Sequence, residues 1–254
     1  MAESGELDNF ALMKRAIIIG ASSGIGREVG TMLLEEGWSI GIAARRTGKL
    51  EEIKAGNPDK VQVMPIDVTH EDAGERLLEL VGRMGGVDLF FYTSGIGKAN
   101  PEVDTPTEVQ TVEVNVTGFT RMVDTMFNYM AAHEGGHIAV VTSVAGTKGI
   151  GMAPSYSASK TYQSHYIQAL EQLAHTRRLN IRFTDIRPGF VDTPLIEGRH
   201  YPLTMDVTST ARHILKAVRA HKHVSIIDQR YKILVFLWRM IPRCIWRSLV
   251  LRTK

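Results

Sequence analysis

The chain contains a single cysteine, Cys244, among its 254 residues. One cysteine cannot form an internal disulfide, and it cannot supply a zinc site made of several cysteines. A reducing compartment is the natural setting for such a chain, so we expect a cytoplasmic protein. The opening stretch MAESGELDNFALMKR begins with acidic residues and lacks a sustained apolar run, so a secretory signal is not expected.

A strong charge of either sign is also absent. Lys and Arg total 30, Asp and Glu total 27, and the formal net charge is +3. Outside the C-terminal tail, the basic residues do not form a stripe with interleaved aromatic residues, which argues against nucleic-acid binding. No internal repeat or long linker divides the sequence. We expect one domain over residues 1–228, followed by an apolar and basic tail over residues 229–254.

Short apolar segments rich in β-branched residues recur along the chain and predict strands. The candidates are residues 16–19, 38–44, 61–66, 87–92, 137–142, 181–186 and 223–227. Helical patterns lie between most of them. Apolar strands that alternate with amphipathic helices predict an α/β doubly wound, Rossmann-type fold, in which a seven-stranded, mostly parallel sheet is covered by helices on both faces.

The clearest helical pattern begins at Val109 and ends at Met130. Apolar residues recur there at three- and four-residue spacing, which predicts one long helix with a single apolar face. The residues of this stripe are Val109, Val112, Val116, Phe119, Val123, Met126, Phe127 and Met130.

A glycine-rich segment, GASSGIG, follows the first predicted strand. Glycines let the backbone turn sharply and approach a pyrophosphate closely, and the N–H groups at a helix N-terminus favour anionic phosphates. The segment therefore predicts a dinucleotide-binding loop. Its expected cofactor-binding residues are Gly20, Ser22, Ser23, Gly24, Ile25 and Gly26. The same letters fit the GxSxG nucleophile elbow of an α/β-hydrolase, but no HGGG-like oxyanion-hole segment precedes them.

The second predicted strand ends in Ala44-Arg45-Arg46. In dinucleotide-binding folds, an acidic residue at this strand end binds the ribose 2′-hydroxyl, whereas a small residue and an arginine accommodate a 2′-phosphate. No carboxylate is present there. Because a planar guanidinium binds phosphate through two parallel hydrogen bonds, Arg45, with Arg46 nearby, predicts NADP(H) rather than NAD(H).

A candidate catalytic group combines Ser143, near the end of the fifth predicted strand, with Tyr156 and Lys160. If Tyr156 begins a helix, the four-residue spacing places the lysine ammonium beside the phenol. A nearby cation lowers the pKa of a tyrosine from about 10, which makes the phenol a usable general acid/base. Ser143 would hold the substrate oxygen. Asn115 could anchor a water that relays protons to Lys160.

Together these motifs resemble the short-chain dehydrogenase/reductase family, from about Lys14 to Asp228. The motifs are GASSGIG, Asp67-Val68, Asn115, Ser143, Tyr156-x-x-x-Lys160 and Pro188-Gly189-Phe190-Val191-Asp192-Thr193. The resemblance implies reversible hydride transfer between NADP(H) and a small-molecule carbonyl or alcohol, and a homodimer or homotetramer formed through the long helices.

The resemblance also implies roles for individual residues. Ser143, Tyr156 and Lys160 would be catalytic, with Asn115 as the relay. The residues implied to bind the cofactor, besides the glycine loop, the arginines, Tyr156 and Lys160, are Asp67 and Val68 at the adenine, Gly95, and Pro188, Gly189, Val191 and Thr193 beside the nicotinamide.

Two positions depart from the family pattern. Ile19 precedes Gly20 where the family usually has threonine, and Thr93-Ser94-Gly95 replaces the usual Asn-Ala-Gly. Neither position is expected to take part in the chemical step. The alternative function is a catalytically silent NADP(H)-binding scaffold that acts through its tail, but a scaffold has no need for a phenol beside an ammonium.

Another motif suggests a metal but is not expected to bind one. His133-Glu134-Gly135-Gly136-His137 matches HExxH, yet two glycines interrupt the helix that such a zinc site needs, and His137 begins a predicted strand. We therefore predict no metal site.

The tail is apolar but contains Arg239, Arg243 and Arg247 at four-residue spacing. Its longest uncharged run, 233–238, is too short to span a bilayer. Three roles stay open for residues 231–252: peripheral contact with an anionic membrane, a lid on the substrate pocket, or a subunit interface. Substrate identity would depend on this tail and on the irregular segment 194–206.

Overall fold

The computed structural model describes residues 14–196 and 201–249. Three expectations from the sequence concern other residues: the absence of an export signal (1–13), the middle of the irregular segment (197–200) and the end of the tail (250–254). These lie outside the described residues.

In the described part of the chain, seven strands form one sheet. They are β1 (Arg15–Ile19), β2 (Ser39–Ala44), β3 (Val61–Pro65), β4 (Leu89–Tyr92), β5 (Gly136–Val141), β6 (Ile181–Arg187) and β7 (Val224–Ile226). Their order is β3-β2-β1-β4-β5-β6-β7, and every neighbouring pair is parallel. The predicted Rossmann-type sheet is confirmed, with strand ends shifted by no more than about two residues, as is usual for boundaries.

Helices cover both faces of this sheet. They are α1 (Gly24–Glu35), α2 (Gly48–Gly56), α3 (Ala73–Met84), α4 (Thr105–Val112), α5 (Phe119–Ala132), α6 (Pro154–Thr176), α7 (Val207–Arg219), α8 (Gln229–Met240) and α9 (Arg243–Ser248).

The sheet separates two apolar clusters, because successive side chains of a strand point to opposite faces. In β1, Ile17 and Ile19 pack in one cluster with residues of α3, α5 and α6, whereas Ile18 packs in the other with residues of α1 and α7. Burial on both faces explains why the strands are apolar throughout. Helix α8, in the C-terminal tail, packs in the second cluster through Tyr231 and Val235.

The strand order reverses between β1 and β4, which lie side by side although β2 and β3 intervene in sequence. Ligands of open α/β sheets bind at such a switch point, beyond the carboxyl ends of the strands. The glycine loop follows β1 and residues 93–95 follow β4, so both lie at this position.

The long helical stripe was predicted correctly only in its second half. A π-helical segment, Glu113–Gly118, separates α4 from α5 and changes which residues face inward. Val109 and Val112 are exposed, whereas Asn115 is fully buried. From Phe119 onward, the predicted apolar face is buried as expected. An apolar period cannot reveal a widened turn, because exposed and buried valines look alike in sequence.

Phe119 tests this arrangement, because its fully buried ring fixes α5 against the sheet and α6. The ring centre lies 5.4 Å from that of Tyr92, 6.3 Å from Tyr162 and 6.0 Å from Tyr166, all edge-on. Phe119→Ala should lower the free energy of unfolding by about 3–5 kcal/mol through lost contacts and a cavity. Urea denaturation followed by circular dichroism measures it.

The control is Leu78→Ala on the exposed side of α3, for which a change of about 0.5 kcal/mol or less is expected. Equal, small losses for both variants would mean that Phe119 is not part of the core.

Candidate active site

The glycine loop between β1 and α1 has a backbone conformation that residues with larger side chains could not adopt without collisions. Gly20 and Gly24 have positive φ angles of 93° and 56°, which favour glycine. A Cβ on Gly26 would collide with the carbonyl oxygen of Gly20. Ser23 precedes α1 in an extended conformation, and its side chain does not cap the helix. The first N–H groups of α1 are therefore available to an anion.

Two other segments close around this loop. A Cβ on Gly20 would lie 2.8 Å from the Ser94 nitrogen, and one on Gly24 would lie 3.0 Å from Cγ2 of Thr193. Cγ2 of Thr93 lies where a Cβ on Gly26 would point. The residues that replace the family's usual Asn-Ala thus pack against the glycine loop, and the segment after β6 reaches it from the other side.

The predicted adenine-side residues meet at the ends of β2 and β3. Arg45 and Arg46 are exposed directly after β2, and Val68 is buried after β3. Asp67 accepts hydrogen bonds from the nitrogen and hydroxyl of Thr69, at 3.0 and 2.8 Å. Burial raises the pKa of Asp67, but these bonds and the charge of Arg45 lower it more, so the net pKa is below the usual value.

Ser143 and Tyr156 lie on either side of a short 3₁₀ turn and loop between β5 and α6. The Ser143 hydroxyl accepts a hydrogen bond from the Ala145 nitrogen at 3.1 Å. The Tyr156 ring packs against Gly97, where a Cβ would lie 2.6 Å from Cδ2 of the ring. Burial raises the pKa of Tyr156, and interaction with Ser143 lowers it less, so the net pKa is raised. This corrects the sequence-based expectation of a lowered phenol pKa.

Lys160 is the buried cation of the site. Its ammonium lies 5.9 Å from the centre of the Tyr156 ring. It donates hydrogen bonds to the Val141 carbonyl at 3.1 Å and to Oε1 of Gln163 at 2.9 Å. Burial lowers the pKa of Lys160 to about 8, although the charge of Asp185 opposes this shift. Tyr156 and Lys160 thus lie close together, as their four-residue spacing predicted, and Ser143 interacts with Tyr156.

Asn115 is fully buried next to this group. Its side chain binds the backbone of Ile96 twice, accepting from the nitrogen at 2.9 Å and donating to the oxygen at 2.7 Å. The backbone carbonyl oxygen of Asn115 accepts a hydrogen bond from Nε2 of Gln163 at 2.8 Å. The Gln163 amide therefore connects the Asn115 backbone to Lys160. Gln163 was missed, although its three-residue distance from Lys160 on a helix was a usable signal.

The segment after β6 is held by the turn after β5 and by the tail. The Pro188 carbonyl accepts from the Val144 nitrogen at 3.0 Å. The Phe190 nitrogen donates to the Tyr231 hydroxyl at 3.0 Å, and the Tyr231 ring covers Gly189, where a Cβ would collide with it. Tyr231 was also missed, and its distance along the chain from Gly189 gives no sequence signal.

The HExxH motif does not place its two histidines on one helix. His133 follows the end of α5, Gly135 and Gly136 have positive φ angles of 91° and 151°, and His137 lies in β5. The two histidines therefore do not share a helix, as the glycines indicated.

The C-terminal helices contact the loop between Ser143 and Tyr156. Trp238 donates to the Thr147 hydroxyl at 2.9 Å, and Lys148 donates to the Ile241 carbonyl at 2.7 Å. Trp246 donates to the Gly149 carbonyl at 2.7 Å. Within residues 14–196 and 201–249, no helix is both long enough and apolar enough to cross a membrane.

The chain is similar in sequence to known proteins. Residues 14–223 match the family model of the short chain dehydrogenases. An uncharacterized oxidoreductase from Myxococcus xanthus is 32% identical over 196 residues, which cover 75% of this chain and 77% of that protein. An uncharacterized oxidoreductase from Staphylococcus aureus strain MW2 is 29% identical over 221 residues, covering 84% of this chain and 94% of that protein.

Solved structures support the fold. A short chain dehydrogenase from Burkholderia cenocepacia, in complex with NADP, has a TM-score of 0.81 at 19% identity, covering 94% of this chain and 98% of its own. A short-chain dehydrogenase from Streptomyces avermitilis has a TM-score of 0.77 at 21% identity, covering 89% and 92%. With the family model matched over most of its length, the chain belongs to the short-chain dehydrogenase family of oxidoreductases.

Proposed function

We propose that this chain transfers a hydride between NADP(H) and a small-molecule carbonyl/alcohol substrate, with Tyr156 as the general acid/base. The observation that carries this proposal is the grouping of Ser143, Tyr156 and Lys160. Two hydroxyl groups and one buried ammonium lie together beyond β5, at the carboxyl edge of the sheet that also bears the glycine loop.

The glycine loop fits a dinucleotide. Glycines at positions 20 and 26 let the loop pack tightly against its own backbone and residues 93–94, and the uncapped start of α1 offers N–H donors to a pyrophosphate. When bound, NADPH supplies the hydride. The residues proposed to hold it are Gly20, Ser22, Ser23, Gly24, Ile25, Gly26, Arg45, Arg46, Asp67, Val68, Gly95, Tyr156, Lys160, Pro188, Gly189, Val191 and Thr193.

Each catalytic side chain has a separate task in this proposal. The Ser143 hydroxyl donates a hydrogen bond to the substrate carbonyl oxygen and orients it. As that oxygen gains negative charge, Tyr156 donates its phenolic proton to it. The Lys160 ammonium stabilises the phenolate that remains, because opposite charges attract strongly in a poorly solvated site.

We propose reduction as the cellular direction, and the pKa directions suit proton donation to a carbonyl. A raised pKa keeps Tyr156 protonated at neutral pH and ready to donate. A pKa of about 8 keeps most of Lys160 charged at pH 7. Both groups are therefore in the state that proton donation to a carbonyl requires.

We propose NADP(H) as the cofactor because arginines follow β2 at the position that selects the 2′-substituent. Arg45 and Arg46 are exposed there. The charge of Arg45 also acts on Asp67 at the next strand end. The Burkholderia relative was solved with NADP. A 2′-phosphate would gain a guanidinium partner at this position, whereas a 2′-hydroxyl would leave it unused.

A silent scaffold is the alternative that this site argues against. Burying the Lys160 charge is costly unless its hydrogen bonds are satisfied, and the fold supplies partners from Val141 and Gln163. Groups with perturbed pKa values cluster at functional sites. Lys160 beside Tyr156 therefore supports an active enzyme.

We further propose that the protein is cytoplasmic and forms a homodimer or homotetramer. Exposed apolar side chains on the long helices support self-association, since Val109 and Val112 of α4 and Leu173 of α6 are each more than 40% exposed. Pairing of these faces would remove them from water.

The tail has two distinct sides, for which we propose two roles. Its inner side contacts residues 147–149 and 189–190 and so braces the loops around the catalytic group. Its outer side exposes large apolar side chains near arginines, which suits peripheral contact with anionic lipid through residues 231–252. The exposed apolar residues are Ile233, Leu234, Phe236, Leu237, Met240, Ile245 and Leu249.

Changing Arg45 tests the cofactor proposal. In the unmodified protein, NADPH should bind at least about tenfold more tightly than NADH, or about 1.4 kcal/mol. Arg45→Asp should remove this preference, because a carboxylate repels the 2′-phosphate and accepts a hydrogen bond from the 2′-hydroxyl. Calorimetric titration measures both affinities. Arg212→Asp on α7 is the charge-matched control, and equal affinities in the unmodified protein would contradict the proposal.

Changing Tyr156 tests the chemistry. Tyr156→Phe keeps the ring packing but removes the proton donor, so kcat should fall by about 10²–10⁴-fold while NADPH affinity stays within about threefold. A carbonyl-substrate screen that follows NADPH oxidation supplies the assay. Tyr162→Phe is the matched control, since that hydroxyl bonds to Thr120 instead. Substantial turnover in the Tyr156 variant would show that another group donates the proton.

Vesicle co-sedimentation tests the outer side of the tail. The protein should sediment with anionic vesicles at low salt and dissociate as salt rises, because each arginine contributes about 1 kcal/mol near such a surface. Phe236→Ser with Leu237→Ser should abolish sedimentation, and neutral vesicles serve as control. If the unmodified protein stays in solution with anionic vesicles, only the bracing and interface roles remain.

A further inference from the structure

The Gln163 side chain is a fully buried amide in the middle of α6. Its two polar atoms connect the catalytic lysine to the π-helical segment. Oε1 accepts from Lys160 at 2.9 Å, and Nε2 donates to the Asn115 carbonyl at 2.8 Å. Residues 160 and 163 of one helix share a face, so α6 presents both groups to the same interior space.

The direction of this amide is fixed by its neighbours. An ammonium has only donors, so the atom facing Lys160 must be the amide oxygen. A carbonyl only accepts, so the atom facing Asn115 must be the amide nitrogen. The reverse orientation would leave two donors facing each other at Lys160 and two acceptors at Asn115. Gln163 therefore has a single satisfied orientation.

The Asn115 carbonyl is itself held in place. Both polar atoms of the Asn115 side chain form hydrogen bonds with the backbone of Ile96: Oδ1 accepts from the nitrogen, and Nδ2 donates to the oxygen. The residue lies in the π-helical segment Glu113–Gly118, where the widened turn alters the usual helical bonding. A continuous set of hydrogen bonds thus runs from the loop after β4, through Asn115 and Gln163, to Lys160 and β5.

Besides Lys160, which Gln163 contacts, the titratable groups to consider near the Gln163 amide are Tyr156 and Asp185. Tyr156 lies on the same helix as Lys160. Asp185 on β6 acts on Lys160 through its charge, but its own oxygens are occupied by Arg187 at 2.6 Å and by Thr142 at 2.5 Å. Gln163 is thus the side chain that holds the ammonium directly.

We propose that Gln163 is a positioning residue that fixes the Lys160 ammonium between α6, the Asn115 backbone and β5. An amide donates and accepts hydrogen bonds but does not take up or release protons in the working pH range, so this contact holds the ammonium without exchanging its proton. This inference rests on the proposed function for its catalytic meaning, but the hold on Lys160 can be measured without it.

Two substitutions move the Lys160 pKa in opposite directions. Gln163→Leu removes an acceptor that favours the charged form, so the pKa should fall further below about 8. Gln163→Glu places a carboxylate beside the ammonium, so the pKa should rise, by about one pH unit. Gln168→Leu, at an exposed position of the same helix, is the matched control and should move nothing.

The first measurement uses the free protein. A lysine whose folded pKa is below its unfolded value of 10.5 binds fewer protons when folded, so stability rises with pH between about 8 and 10.5. The Lys160→Met variant lacks this rise and serves as the reference. Relative to that reference, Gln163→Leu should begin the rise at lower pH, and Gln163→Glu should reduce or remove it. Urea denaturation across this range measures the effect.

The second measurement is the pH profile of kcat/KM. Its alkaline limb, set by loss of the Lys160 charge, should move to lower pH in Gln163→Leu and to higher pH in Gln163→Glu. Should the leucine variant fail to fold, the glutamate variant decides. Unchanged pH profiles in both measurements, even with lower kcat, would show that Gln163 only fills space and would overturn the proposal. A shift in the free protein without any carbonyl reduction would instead refute the proposed function and leave the hold on Lys160 standing.

Discussion

The buried ammonium of Lys160 is the constraint on which the site depends. A charge taken out of water is costly unless hydrogen bonds compensate it, and here the carbonyl of β5 and the amide of Gln163 do so. Incomplete compensation shows in a pKa lowered to about 8. In the reaction that we propose, the same cation stabilises the phenolate of Tyr156. Its position follows from the end of β5, the helical spacing of α6 and the π-helical segment that meets them.

Backbone geometry accounts for the cofactor half of the site. The strand order reverses between β1 and β4, so the loops after these strands lie side by side at the carboxyl edge of the sheet. Glycine at positions 20, 24 and 26 lets the loop pack tightly there, since side chains would collide with Ser94, Thr193 or the loop's own backbone. The Ser23 side chain does not cap α1, so the first N–H groups of this helix are available to an anion. The tail supports the segment after β6, because the Tyr231 ring packs on Gly189 and its hydroxyl accepts a hydrogen bond from the Phe190 nitrogen.

Local patterns predicted the fold and the nearby parts of the site. Apolar strands alternating with helices gave all seven strands, and the spacing of Tyr156 and Lys160 placed the phenol near the ammonium. What failed depended on contacts that no local pattern contains. The widened turn at residues 113–118 exposed Val109 and buried Asn115. The pKa of Tyr156 is raised rather than lowered, because its burial outweighs the opposing hydrogen bond with Ser143. The contact of Tyr231 with Gly189 joins distant parts of the chain and was invisible for the same reason.

The ionisation of Lys160 itself is the most direct test of this account. Protein labelled with ¹⁵N at the lysine side chains can be titrated by nuclear magnetic resonance, and the Lys160→Met variant identifies the signal. The account predicts that Lys160 loses its proton near pH 8, against an ordinary value of 10.5. A midpoint at or above about 10 would mean that the ammonium is well solvated, and it would contradict the claim that a buried, protein-held cation organises the site.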